Sequence, residues 1–359
     1  MRNRIACVIA PAMIGALGMA GGAQAVTVGT ATASPGTLAR GYIDVPAGVD
    51  SGTRIAVAVV RGTKPGPVVA FVSGSHGTEY TSVVAMQDLV SRVNATKLSG
   101  TVIIVPLVNV ASFRSMTPHI NPVDRKGMNA GYPGDPNGSQ TPRALALITK
   151  EVLDPSDVIV DLHGGDLDED LRPYSYWFRS GRPAQDSVGL RLALAFGLDH
   201  IIVSDVDPSS PTAGRSLSGQ ALVRGKTVVV AEAGRVGTVA AADRKALLDG
   251  ALNVLGALKM ISRDVQPVPH PVWLNGAGAR VAADSAGFFY ATVPRDTKVK
   301  AGQVVGYMTN DLGERTKDIA SPIAGLVTFI RGVPSAWTGA TLVNVAPILA
   351  APPPWKAGR

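Results

Sequence analysis

Three short segments bring together residue types that can do hydrolytic chemistry. In Gly74-Ser75-His76-Gly77-Thr78-Glu79, an imidazole and a carboxylate stand three residues apart where a strand pattern gives way to a helix pattern. That spacing can turn both side chains toward one point, and the glycines allow close approach. In Asp161-Leu162-His163-Gly164-Gly165, a second histidine ends a buried-strand run, and in Val230-Ala231-Glu232-Ala233-Gly234 a further carboxylate does the same. Two histidines and one carboxylate are the protein ligands of many catalytic zinc sites, which keep a fourth position open for water. Glu232 is then a spare carboxylate. Any one segment arises often by chance, so the weight lies in where the three fall.

The elements around them supply that placement. Runs rich in β-branched residues at 55–60, 68–73, 101–108, 158–162, 201–203 and 227–231 read as strands, and apolar residues recur at helical spacing over 79–93, 143–153, 187–196 and 240–260. Strand and helix alternate, which predicts an α/β fold: a doubly wound sheet, helices on both faces, and functional residues at the carboxyl ends of the strands. After the proline-rich Gln266-Pro267-Val268-Pro269-His270-Pro271 the pattern changes to short, glycine-broken β segments. The predicted division is a signal peptide at 1–25, a catalytic domain at 26–265, a small all-β domain at 266–350 and a loose tail at 351–359.

The first 25 residues carry Arg2 and Arg4, an apolar run and Ala23-Gln24-Ala25, the pattern of a cleaved secretory signal. The expected location is therefore exported, periplasmic or secreted, with no membrane association once the signal is removed. The single cysteine, Cys7, lies in that segment, so disulfides are not expected to contribute. Losing Arg2 and Arg4 lowers the net charge from +7 to +5. The remaining basic residues are scattered without interleaved aromatics, which argues against a nucleic-acid partner. At 46% hydrophobic and 17% charged, the chain can build a core, which excludes a disordered protein.

With these motifs in order, the sequence resembles the succinylglutamate desuccinylase/aspartoacylase family, a deacylase branch of the zinc carboxypeptidase clan. The matching stretches are GTKPGPVVAFVSGSHGTEYTSVVAMQDLVSRV, LSGTVIIVPLVNVASF, NPVDRKGMNAGYPG, VDLHGG and VVVAEAG, within residues 40–347. The resemblance implies a zinc-carboxypeptidase-like mixed sheet, a C-terminal lipoyl-like β sandwich, and one Zn²⁺ per chain held by His76, Glu79 and His163. It implies Glu232 as general base in the hydrolysis of an amide, with an N-acylated amine or amino acid as substrate and possible homo-oligomers. Two alternatives are a peptidase acting on peptides or cell-wall peptides, and a zinc-bearing binding protein without catalysis.

The family's Asp-Leu-Asn-Arg segment here reads Gly127-Met128-Asn129-Ala130. Asn129 survives as a substrate-binding candidate, but the arginine that grips a carboxylate is replaced by Ala130. Arg114 and Arg215 are the candidates to replace it, with Arg235 a third. Gly127 stands where an aspartate would orient a zinc histidine, so another group is needed there. His119, in a proline-flanked loop, is a lesser candidate for substrate contact. The acidic run Asp166, Asp168, Glu169 and Asp170 reads as a solvated surface. Ser73 and Ser75 lack the turn of a serine nucleophile.

Overall fold

A computed structural model describes residues 24–354 of the protein. The segment read as a signal peptide lies outside the described residues apart from its last two, and so does the end of the tail. The centre is a ten-stranded sheet in the order Ile348–Leu349, Val272–Asn275, His200–Asp205, Tyr174–Arg179, Thr227–Glu232, Val158–His163, Lys64–Ser73, Ser99–Val105, Thr53–Arg61 and Thr37–Val45. The four strands from Thr227–Glu232 to Ser99–Val105 run parallel. Antiparallel neighbours flank them at both Thr53–Arg61 and Tyr174–Arg179, so the sheet is mixed.

Strand alternation explains why both faces are covered. Val69 and Phe71 enter one apolar layer, while Ala70 and Val72 enter the other. The first layer is roofed by Met86 and Leu89 of helix Tyr80–Arg92, Leu192 and Phe196 of helix Pro183–Phe196, and Leu247 and Val254 of helix Ala241–Ala257. The opposite layer is closed by Ala144, Leu145 and Ile148 of helix Gln140–Ile148 and by Leu217 and Ala221 of helix Leu217–Val223. The central strands are buried on both sides and read as unbroken apolar runs, as parallel strands must.

Beyond the proline-rich stretch, two small sheets pack around Val305, Val327, Leu342 and Val343. The segment 266–350 does not keep to these sheets. Its two end strands, Val272–Asn275 and Ile348–Leu349, extend the large sheet. In return, Glu169–Leu171, just after the second histidine motif, pairs with Gly325–Arg331 of the C-terminal layers. Strand Thr37–Val45, antiparallel to the expected strand Thr53–Arg61, and strand Tyr174–Arg179 are additions to the sequence reading.

Candidate metal centre

His76 and Glu79 sit in the turn between strand Lys64–Ser73 and helix Tyr80–Arg92; His163 ends Val158–His163, and Glu232 ends Thr227–Glu232. The parallel register puts Glu232 directly beside His163. Gly74 makes the departure from the strand possible: its φ is +67°, and a Cβ there would lie 2.8 Å from the Leu107 side chain.

The donor atoms converge. His76 Nδ1 lies 2.7 Å from Glu79 Oε1, His163 Nδ1 lies 3.0 Å from Glu79 Oε2, and the two rings are 5.4 Å apart. One ligand atom from each of the three fits within a 4.8 Å cluster. Both histidines thus turn the same ring nitrogen to the two oxygens of one carboxylate, which is only 2% exposed. That donor set suits zinc, whose sites take nitrogen and carboxylate oxygen at about 2.0–2.2 Å. His163 Nε2 stands 3.2 Å from Oδ1 of the buried Asp161. Asp161 therefore stands where a carboxylate can orient the His163 ring. Two-residue alternation along one strand was the signal for it, since Asp161 and His163 share a face.

The charges are tightly set. Burial alone would raise the Glu79 carboxyl, but His163 and His76 outweigh it and hold Glu79 below its ordinary value. Burial opposes charge on His163, but Glu79 and Asp161 hold it protonated well above its ordinary value. Burial pushes the Glu232 carboxyl up to about 8; Glu79, Glu169 and Asp161 add to that, while His163 works against it. A carboxyl poised near neutrality beside a candidate metal centre suits proton transfer.

The acidic run is not the solvated surface the sequence suggested. Asp166 is fully buried and Asp168 is 8% exposed. Asp166 accepts from the Thr78 hydroxyl and from the backbone N–H of His119 at 3.1 Å. Asp168 meets Nε2 of His119 at 3.2 Å and Nη1 of Arg331 at 2.8 Å. These partners are remote in sequence, and charge patterning cannot reveal them. His119 is a true neighbour of the triad, its ring 5.7 Å from that of His76. Burial would lower its pKa, but the Asp168 hydrogen bond and the Asp166 charge raise it to about 9.

The metal-free protein is expected to lose stability as pH rises. His119 keeps its proton to about 9 instead of the ordinary 6.5, so its contribution is complete below about pH 6.5 and lost as pH rises through 9. Glu169 and Glu232, raised to about 7 and about 8, also bind protons that the unfolded chain has released. Tm is therefore expected to fall steadily from about pH 6 to about pH 9.5, and less steeply in His119→Gln. Calorimetry showing a flat or rising Tm would contradict this charge assignment.

The substrate-binding candidates are placed differently from one another. Oδ1 of Asn129 is buried without a hydrogen-bond partner. Arg215 donates from Nε to the carbonyl of Ala130 at 3.2 Å, and its own carbonyl accepts from the Tyr132 N–H at 3.0 Å. It is thereby anchored on the segment whose arginine is missing. Arg114 lies exposed on the short helix Val110–Ser115 and lines a cleft of about 260 Å³ with Ser51, Val123 and Gln140. No residue of the triad borders that cleft. Arg235 is exposed in the turn after Glu232.

The mixed α/β sheet carries its His/Glu/His group at the carboxyl ends of neighbouring parallel strands, the place and donor set of a metallohydrolase centre. The model of the succinylglutamate desuccinylase/aspartoacylase catalytic domain matches residues 65–258, and the chain belongs to that family. It is 29% identical, over 74% of its own length and 78% of the relative's, to N-alpha-acetyl-L-2,4-diaminobutyric acid deacetylase from Halomonas elongata. Its fold is that of a succinylglutamate desuccinylase from a Silicibacter species, at TM-score 0.78 and 21% identity over 87% and 95% of the two chains. A product-bound ectoine utilization protein from Ruegeria pomeroyi is equally similar, at TM-score 0.78 and 22% identity over 86% and 95%.

Proposed function

We propose that the protein is an exported, zinc-dependent deacylase that hydrolyses the amide bond of an N-acylated amino acid. The observation that carries this reading is the convergence of His76, Glu79 and His163 within 4.8 Å, with Glu232 paired to His163 on the neighbouring strand. His76 Nδ1, Glu79 and His163 Nδ1 would hold the metal. Zinc, when bound, supplies a Lewis acid that polarises a carbonyl and acidifies water. Glu232 accepts the proton of the attacking water and passes it to the departing nitrogen, work that suits a carboxyl raised to about 8. Asp161 fixes the His163 ring through Nε2. The unpaired oxygen of Asn129 is free to accept from the substrate's N–H groups.

An amino-acid substrate needs a partner for its carboxylate, and Arg215 supplies it from its seat on the Ala130 carbonyl. The relative that deacetylates an acetylated diamino acid supports the same substrate class. The test is a panel of N-acetyl amino acids, N-acetyl amines without a carboxylate, and short peptides. N-acetyl amino acids are expected to turn over fastest. Arg215→Ala is expected to raise KM for them by about 10- to 100-fold, the worth of a charged hydrogen bond, and to leave the amines unaffected. Peptides outpacing every acetylated amino acid would overturn the reading in favour of a peptidase.

A further inference from the structure

The acidic run after His163 is bound on its far side by the C-terminal layers. Glu169–Leu171 pairs with Gly325–Arg331 in antiparallel register, Arg331 opposite Glu169. The backbone N–H of Gly332 donates to the Asp168 carbonyl at 3.0 Å. Arg295 reaches Asp170 at 3.1 Å. Arg331 itself is 4% exposed and thoroughly fixed. Its Nε donates to the Ser335 carbonyl at 2.6 Å, its guanidinium lies 4.6 Å from the centre of the Trp337 ring, and its Nη1 meets Asp168 Oδ2 at 2.8 Å. The other oxygen of Asp168 takes Nε2 of His119 at 3.2 Å, while Asp166 faces Nδ1 at 3.3 Å. The His119 ring then stands edge-on to His76.

We propose that Arg331 is a positioning residue which, through Asp168, fixes the His119 imidazole beside the metal triad, where it bounds the approach of substrate to His76. The C-terminal layers thereby set the shape of a site to which they contribute no ligand. Arg331 is buried, and its Nε and Nη1 are also tied to the carbonyls of Ser335 and Thr341 in the two small sheets, which narrows the geometry in which it can hold Asp168; Asp168 has two oxygens to divide between Arg331 and His119. Both ring nitrogens of His119 face carboxylates, so the ring is held from two sides. Its backbone supports this, since His119 is held at φ +63°, a conformation uncommon outside glycine and maintained by its surroundings.

The inference rests on the deacylase reading for its kinetic arm but not for its spectroscopic arm. The protein has five histidines, so ring signals in proton–nitrogen NMR can be assigned by single His→Gln changes. In the metal-free protein, Arg331→Met is expected to shift the His119 ring signal while those of His200 and His270 stay in place. Asp168→Asn, which keeps the side-chain volume and Arg331, is expected to shift it too, should Arg331→Met fail to fold. In the zinc-loaded enzyme, Arg331→Met is expected to raise KM about tenfold or more with a smaller change in kcat, and Arg331→Lys to restore part of the loss. An unmoved His119 signal in both variants overturns the proposal whatever the activity. Wild-type KM in folded Arg331→Met overturns its kinetic half, whereas an inert wild type speaks against the deacylase reading alone.

Discussion

Glu232→Gln is expected to lower kcat on an N-acetyl amino acid by about 10²–10⁴-fold, the range that a positioned acid–base group contributes. The change keeps the volume and the hydrogen-bonding capacity of the side chain, and Glu232 is not among the three donors that cluster within 4.8 Å. Metal content should therefore match the wild type. Stability should hold or rise, because burial disfavours the Glu232 carboxylate and an amide removes that penalty. Kinetics, metal analysis by mass spectrometry and a thermal melt on the same preparations separate these effects. Equal turnover in mutant and wild type would remove Glu232 from the mechanism. Lost turnover together with lost metal would move it into the ligand set.

The parts of the site that the sequence discloses are those whose relation is local. His76 and Glu79 share one turn, and Asp161 and His163 share one strand face, so spacing and periodicity reach them. Glu232 is visible because parallel strands deliver their carboxyl ends to one edge. What periodicity does not reach is long-range pairing of charge. Asp168 meets Arg331 across 163 positions of chain, and each alone looks like a solvated side chain. The same holds for the fold. The strands buried on both faces declare themselves as apolar runs, while Glu169–Leu171 is an acidic strand that forms only because the C-terminal layers offer it an edge. Val272–Asn275 and Ile348–Leu349 likewise join the large sheet across what composition marks as a boundary. As arginines near motifs, Arg114 and Arg215 are both candidates, with Arg114 the more strongly favoured by its place after Phe113. Only the fold shows that Arg215 is seated on Ala130 and that Arg114 lines another cleft.

His163→Ala is expected to abolish zinc retention and turnover together, and also to lower the Tm of the metal-free protein. The third effect makes the test more specific than loss of activity. Glu79 is 2% exposed and divides its oxygens between His76 and His163, with the backbone N–H of Gly164 adding a bond at 3.1 Å. Breaking a buried ion pair by deleting one member costs about 3–5 kcal/mol when the survivor is left uncompensated. Here His76 and the Gly164 N–H remain, so the loss belongs below that range. Glu79→Gln removes the charge as well as the ligand and should destabilise the metal-free protein less than His163→Ala. Zinc added at about 100 times its Kd should stabilise the wild type by about 2.7 kcal/mol, and neither variant at the same concentration. A zinc-dependent rise in Tm that survives His163→Ala would show that the ion sits elsewhere, with the cluster of His119, Asp168 and Glu169 as the next place to look. The order of the two metal-free Tm values would then still tell whether His163 is held for its charge or only for its place.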